Sequence, residues 1–320
     1  MKNYLLYFFV VLMWMALVPF APVIIGDGAK AETYENSHII RVLTIDNTVV
    51  EMTLDDYVLG VMLSEMPASY EKQALLAQAV VIRSYTQYLL EAQEQGDEHH
   101  TASGGLEYDL CSNPSCCRKY TTESELVSLA GKTNAEARIK AMSAAVSETS
   151  GEVLTYNGKT AMTLYHASSP ARTESYESLF GTAVPYLVGI DNVDESSFIH
   201  YKKETYFTFL DLQVLLAANG YEYKHVENEV FSVTLNENLR ANNIVIGSTD
   251  IPATDFIKII GLKSCCIEIT TDGAGYLFKS SGYGSGLGMS QYGASLLAMQ
   301  GYSYKDILKF YFKDTSLEKR

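Results

Sequence analysis

The stretch ALLAQAVVI, residues 74–82, is apolar at eight of nine positions. A helix that is apolar all round has to run through the middle of a core. This one contains a single amide, Gln78, and runs straight into Arg83. Buried polar groups need partners, and a lone buried guanidinium would be very costly. Whatever this chain folds into must therefore supply Arg83 with an acceptor. In the segment before it, Leu54, Val58, Val61 and Glu65 fall at i, i+4, i+7 and i+11, with Met62 alongside, on one helical face. That apolar stripe ends in a carboxylate, where leucine would be the undemanding choice. Apolar walls favour the protonated form of a carboxyl, which is the form a general acid needs near neutral pH. The two helices break at Pro67 and should pack as a hairpin, so Arg83 is expected to meet Glu65 or a substrate. A Glu–Arg pair that only tethers the hairpin also fits this periodicity.

The other elements are mixed in type. Residues 36–51 alternate around Asp46-Asn47 and predict a hairpin. Thr53, with Asp56 three positions on, reads as a cap for the first helix, and Ser69 as one for the second. Residues 95–122 are polar. Thr133 to Glu136 predicts a capping box for a helix ending near Thr149, with Gly151 as its stop. Asn157-Gly158 is the strongest hairpin signal. Strands and a short helix around LQVLLAA fill residues 204–260, and Asp272-Gly273 turns a second hairpin. A glycine-rich loop follows, then helices over about 289–299 and 303–313. With no regular βαβ alternation, the fold class expected is α+β, mixed sheets with a helical hairpin carrying Glu65 beside a substrate cleft.

Residues 4–25 form 22 residues without a formal charge. A bilayer core needs about 20 such residues, and a cleaved signal about 7–15. Lys2 precedes the segment, and Asp27, Glu32 and Glu35 follow it, so the positive-inside bias exports what comes after. Ala29-Lys30-Ala31 offers a cleavage site, so both an uncleaved anchor, a single transmembrane helix, and a removed signal fit residues 1–26. Residues 27–320 are then an extracytoplasmic region, with room for two subdomains lining one cleft. The formal net charge of −14 gives no general pull on nucleic acid. Five cysteines are too few for a disulfide scaffold, and their odd number leaves at least one unpaired or otherwise employed.

Residues 54–85, LDDYVLGVMLSEMPASYEKQALLAQAVVIRSY, resemble the core signature of the stage II sporulation protein D family. The resemblance continues through Leu164-Tyr165-His166-Ala167-Ser168-Ser169, Arg172-Thr173-Glu174 and Val184-Pro185-Tyr186-Leu187, and closes with GYGSGLGMSQYGA, residues 282–294. It implies a clostridial-type peptidoglycan lytic transglycosylase acting in sporulation engulfment. Such an enzyme cuts glycan strands already stripped of stem peptides, leaving 1,6-anhydro-N-acetylmuramic acid ends. It implies Glu65 as catalytic acid and Arg83 as a required arginine. His166, Ser168, Ser169, Arg172, Glu174, Ser285, Ser290, Gln291 and Tyr292 would line the substrate site. Implied partners are the glycan strands, the amidase stage II sporulation protein P and the scaffold stage II sporulation protein M. The implied location is the engulfing membrane of the mother cell, with the bulk outside the cytoplasm. The family commonly has histidine where this chain has Ser285, and small glycines where it has Pro170-Ala171. Some relatives are amidase enhancers, so a non-catalytic wall-binding module that stimulates an amidase is the second reading.

A Ser–His hydrolase is weak, because no G-x-S-x-G elbow accompanies His166 and Ser168. The loop from Gly282 to Gly288 is neither G-x-G-x-x-G nor a Walker A sequence. It reads either as a backbone-amide platform for acidic or amide-bearing sugars or as a tight strand–helix connection. Cys111, Cys116 and Cys117, with His99 and His100 upstream, suit the four ligands of one structural zinc. Some clostridial relatives hold zinc here through two histidines and two cysteines. On that pattern Cys116 replaces a histidine, and His100 or His99 must reach in from further away. A disulfide from Cys111 to a neighbour, or free thiols, are the other readings. No organic cofactor is expected. Cys265-Cys266 reads as a buried strand pair or a vicinal disulfide.

Overall fold

The computed structural model describes residues 39–94, 107–113, 116–226 and 231–320. Strands β1 (Ile39–Leu43) and β2 (Val49–Thr53) pair antiparallel across a turn in which Asn47 takes φ 60°, a conformation asparagine tolerates. The Thr53 hydroxyl accepts the Asp56 N–H and caps helix α1 (Leu54–Glu65). Helix α2 (Lys72–Glu94) begins after Glu71, not after Ser69, because the Glu71 carbonyl takes the N–H groups of Ala74 and Leu75. Every residue from Ala74 to Ser84 is buried, so the apolar run does thread the core. Gln78 is 0% exposed, and neither atom of its amide has a hydrogen-bond partner among the described residues.

Strand β3 (Leu110–Cys111) adds parallel to β1, giving the order β2-β1-β3. Helices α3 (Glu123–Ala130) and α4 (Lys132–Glu148) follow. The capping box lies one helix earlier than expected: Thr122 and Glu125 cap α3 reciprocally. Gly131, at φ 76°, ends α3 and starts α4 at once, which leaves Thr133 inside the helix. Strands β4 (Glu152–Tyr156) and β5 (Lys159–Thr160) turn on Asn157 and Gly158 at φ 51° and 76°, the mirror-image turn that suits strand twist.

The chain continues through β6 (Tyr165–His166), α5 (Tyr176–Phe180), β7 (Lys202–Thr208), α6 (Phe209–Ala218), β8 (Phe231–Leu235), β9 (Ala241–Ile246) and β10 (Thr249–Pro252). Then come α7 (Ala253–Ile260), β11 (Ile267–Thr271), β12 (Gly275–Ser281), β13 (Met289–Ser290), α8 (Gln291–Met299), α9 (Tyr304–Tyr311) and β14 (Ser316–Lys319). The sheets are small: β10-β9-β8, β11-β12-β7, β13-β6 and β14-β4-β5 join the first. The fold is mixed α+β. One core gathers α1, α2, α4, α8 and α9, and a second, from Leu212 to Phe278, fills the excursion between β7 and β12. Among the described residues no helix is long and apolar enough to cross a membrane. The 4–25 stretch, with its expected membrane helix, lies outside them, as do His99 and His100.

Candidate active site

Glu65 is the last residue of α1 and is half-buried. Its carboxylate is held on both oxygens. The Lys119 N–H donates to Oε1 at 3.3 Å, and the Tyr165 hydroxyl donates to Oε2. The Gln291 side-chain amide donates to the Glu65 carbonyl at 3.3 Å, bringing the start of α8 against the end of α1. Arg118 lies over the Tyr165 ring at 4.3 Å and the Tyr85 ring at 5.0 Å. Burial works against the Arg118 charge, but Tyr165 and Glu65 outweigh it and its pKa is raised. Burial also drives the Tyr165 hydroxyl well above its ordinary value, Arg118 opposing and Glu65 adding to the shift, so it remains a donor. The wall around Glu65 is therefore polar and cationic as well as apolar, unlike the purely oily setting that the stripe suggests.

Arg83 does not meet Glu65. It is 1% exposed, and its guanidinium bonds Asp55 at 2.8 Å, the Thr149 carbonyl at 2.8 Å and the Val146 carbonyl at 3.1 Å. It clamps the first turn of α1 to the open carbonyls at the end of α4. Asp55, in the first turn of α1, is its ionic partner.

The 166–174 block is buried and largely spoken for within the fold. His166 Nδ1 bonds the Leu287 carbonyl at 2.9 Å, which leaves Nε2 buried with no hydrogen-bond partner among the described residues. Burial lowers its pKa to about 3 and keeps it neutral. Ser168 bridges to Tyr283 through the backbone. The Ser169 hydroxyl donates to the Arg172 carbonyl at 2.9 Å and accepts from Arg240 at 2.8 Å. Arg172 bonds Asp191, Asn238 and the Gly189 carbonyl. Glu174 is 0% exposed and accepts from Asn236 at 2.7 Å, Asn238 at 2.6 Å and the Ser175 N–H at 2.8 Å. It ties the β8–β9 connection to the main core.

The glycine-rich loop is a tight connection. A Cβ at Gly286 would run into the Arg240 guanidinium, and one at Gly288 into the Leu164 backbone. Met289 and Ser290 then pair in parallel with Tyr165 and His166. Ser285 sits exposed at the loop. Ser290 caps α8 by accepting the Gly293 N–H.

Two groups escape sequence reasoning. Arg118 and Lys119 directly follow Cys117 in a loop where the sequence signal is carried by the cysteines. Glu195 lies in an acidic run that resembles a solvated loop, yet it is 1% exposed and accepts the Ser169 N–H at 2.9 Å. Burial raises its pKa, against the hydroxyls of Ser290 and Ser168, which favour the charged form. The sulfurs of Cys111, Cys116 and Cys117 lie within 4.8 Å of one another, close enough to share one metal ion, and all five cysteines are free thiols.

A family model described as Stage II sporulation protein matches residues 45–156. The chain is 28% identical to stage II sporulation protein D of Bacillus subtilis (strain 168), covering 86% of this chain and 77% of that one. To stage II sporulation protein D of Bacillus amyloliquefaciens it is also 28% identical, covering 91% and 81%. To the amidase enhancer of Bacillus subtilis (strain 168) it is 25% identical, covering 81% of this chain and 40% of the relative. The family match takes in α1, α2 and the cysteine loop that surround Glu65, and the similarity to the stage II sporulation protein D relatives extends over most of the chain.

Proposed function

We propose that the protein is a lytic transglycosylase of peptide-stripped peptidoglycan, with Glu65 as its one acid and base. The observation carrying this reading is the setting of Glu65: half-buried, with both oxygens held by donors. By contrast Glu174 and Glu195 are sealed inside the fold, and Asp55 is committed to Arg83. Hydrolysis with water usually takes two carboxyls flanking the bond. Intramolecular transfer takes one. Protonated Glu65 gives its proton to the oxygen between N-acetylmuramic acid and N-acetylglucosamine. The carboxylate left behind is stabilised by the Lys119 N–H, the Tyr165 hydroxyl and the nearby Arg118 charge. It then takes the proton of the muramic acid 6-hydroxyl as that oxygen closes on C1, giving the 1,6-anhydro end. Gln291 fixes the end of α1 while this happens.

The cysteine loop fits a structural zinc held by Cys111, Cys116, Cys117 and one of His99 and His100, because three sulfurs converge within 4.8 Å of one another and zinc takes four such ligands. Bound there, the metal would fix the loop that presents Arg118 and Lys119 to Glu65. On this reading the protein works on the outer face of the membrane during engulfment, beside a sporulation amidase and its membrane scaffold.

Incubation of the purified chain with peptide-free glycan strands should give anhydro ends by mass spectrometry, abolished by Glu65→Gln. The name of the amidase enhancer relative supports a second reading, in which the chain binds wall and stimulates an amidase. Amidase stimulation unchanged by Glu65→Gln, with no anhydro ends, would select it.

A further inference from the structure

Beside Glu65 lies a group of aromatic rings that the acid chemistry does not use. Tyr70 and Tyr292 meet edge to face at 5.9 Å, and Phe198 packs on Tyr292 at 5.0 Å. Each ring is half-buried, none sealed in the core. Tyr292 immediately follows Gln291, which bonds the Glu65 carbonyl, and Tyr70 lies near the end of the short link from α1 to α2. The rings are also fixed from behind. The Tyr292 hydroxyl hydrogen-bonds Ser197 Oγ at 2.9 Å, its N–H donates to the Ala167 carbonyl at 3.1 Å, and the Phe198 N–H donates to the Glu195 carbonyl at 2.9 Å. Glu195 is itself pinned by the Ser169 N–H.

We propose that Tyr70, Phe198 and Tyr292 form a sugar-stacking shelf continuous with the acid site, taking the apolar face of an N-acetylhexosamine ring of a glycan strand. The proposal rests on the reading of Glu65 as the residue at which such a strand is cut. A pyranose carries its C–H bonds on its faces and its hydroxyls around its rim. A held aromatic ring offers a flat apolar area at little entropic cost, because two χ angles are already fixed. In a chain with formal net charge −14, affinity for a strand draws on such uncharged contacts. The Tyr70 hydroxyl, pushed up to about 12 by burial and then by Glu195 and Tyr292, keeps its ring neutral at working pH.

The test is binding of the full chain carrying Glu65→Gln to peptide-free peptidoglycan glycan strands, measured by co-sedimentation. Adding Phe198→Ala or Tyr70→Ala is expected to weaken binding about tenfold each. Adding Phe198→Tyr, which keeps a ring, should leave it within about twofold. Thermal unfolding of each variant separates lost binding from lost folding. Binding that both alanine variants leave unchanged while fully folded, or a Glu65→Gln chain that does not bind strands, overturns the shelf. If aromatic-dependent binding is found and the wild-type chain makes no anhydro ends, the transglycosylase reading fails and the shelf stands. If anhydro ends form while the alanine variants bind normally, the shelf fails and the reaction stands.

Discussion

Arg83 bonds Asp55 at 2.8 Å, at the end of α1 opposite to Glu65. At 1.5 Å of rise per residue, Asp55 and Glu65 stand about 15 Å apart along the helix. Any effect of this arginine on the acid therefore travels through the body of α1.

Arg83→Met leaves the carbonyls of Val146 and Thr149 without their donor and Asp55 without its cation. The expected cost is about 3–5 kcal/mol, the range for breaking one side of a buried pair. Asp55→Asn should cost less, since that side chain is 35% exposed. Urea unfolding gives both numbers. Turnover per folded molecule should stay near that of the parent. A fully stable but inactive Arg83→Met would give the arginine a direct role.

Tyr165→Phe removes one of the two donors on the Glu65 carboxylate and leaves the ring under Arg118. Turnover on peptide-free strands should fall about 10-fold to 100-fold, mostly in kcat, with stability changed by about 1 kcal/mol. Equal turnover in parent and variant would remove the hydroxyl from the reaction.

Much of the frame was legible in the sequence, and the reasons are local. The Thr53 cap, the Asn157-Gly158 and Asp272-Gly273 turns and the burial of residues 74–82 follow from short-range rules, and the structure has each. The partner of Arg83 was not legible. Periodicity says that α1 and α2 pack, but not that the arginine aligns with the first turn of α1 and the last turn of α4. Arg118 was hidden because its role comes from stacking on Tyr165, across 47 residues of chain (165 − 118), a contact no spacing rule reaches. Glu195 was hidden for the opposite reason: its neighbours Asp191, Asp194 and Ser196 are exposed, and only tertiary packing turns this one carboxylate inward.

His166 should set part of the acid stability. Its pKa is near 3 in the folded chain against an ordinary 6.5, because burial leaves Nε2 no partner for a second proton. Between those values the unfolded chain binds a proton that the native one refuses, so stability falls as pH drops from about 6.5 towards 3. One such group costs up to about 1.4 kcal/mol per pH unit. Urea midpoints measured across that window should fall more steeply for the parent than for His166→Gln. Parallel slopes would show that the imidazole is free to protonate.

Metal removal tests the cysteine loop. The purified chain should carry about one equivalent of zinc, lost on Cys111→Ser or after chelation. Since Lys119 and Arg118 follow Cys117, the loss should lower turnover by misplacing the groups around Glu65. The second core, built from residues between β7 and β12, should keep its protection in hydrogen exchange. Metal-free protein with full turnover would leave the three thiols without that role.

Two alanine substitutions separate backbone strain from steric collision. Gly158 and Gly288 both have positive φ, 76° and 67°. A Cβ at Gly158 meets nothing within 4 Å, so Gly158→Ala should cost only the left-handed penalty, about 1–2 kcal/mol. A Cβ at Gly288 would collide with the Leu164 backbone, immediately before Tyr165 in the strand that carries the Glu65 donor. Backbone there cannot swing aside as a side chain can, and β13 would have to leave β6. Gly288→Ala should therefore cost well beyond the strain seen at Gly158 and lower glycan turnover in whatever protein still folds. Comparing the two urea midpoints decides it: equal losses would mean that the loop is loose enough to yield, and that the close approach of β13 to β6 does not hold Tyr165 in place.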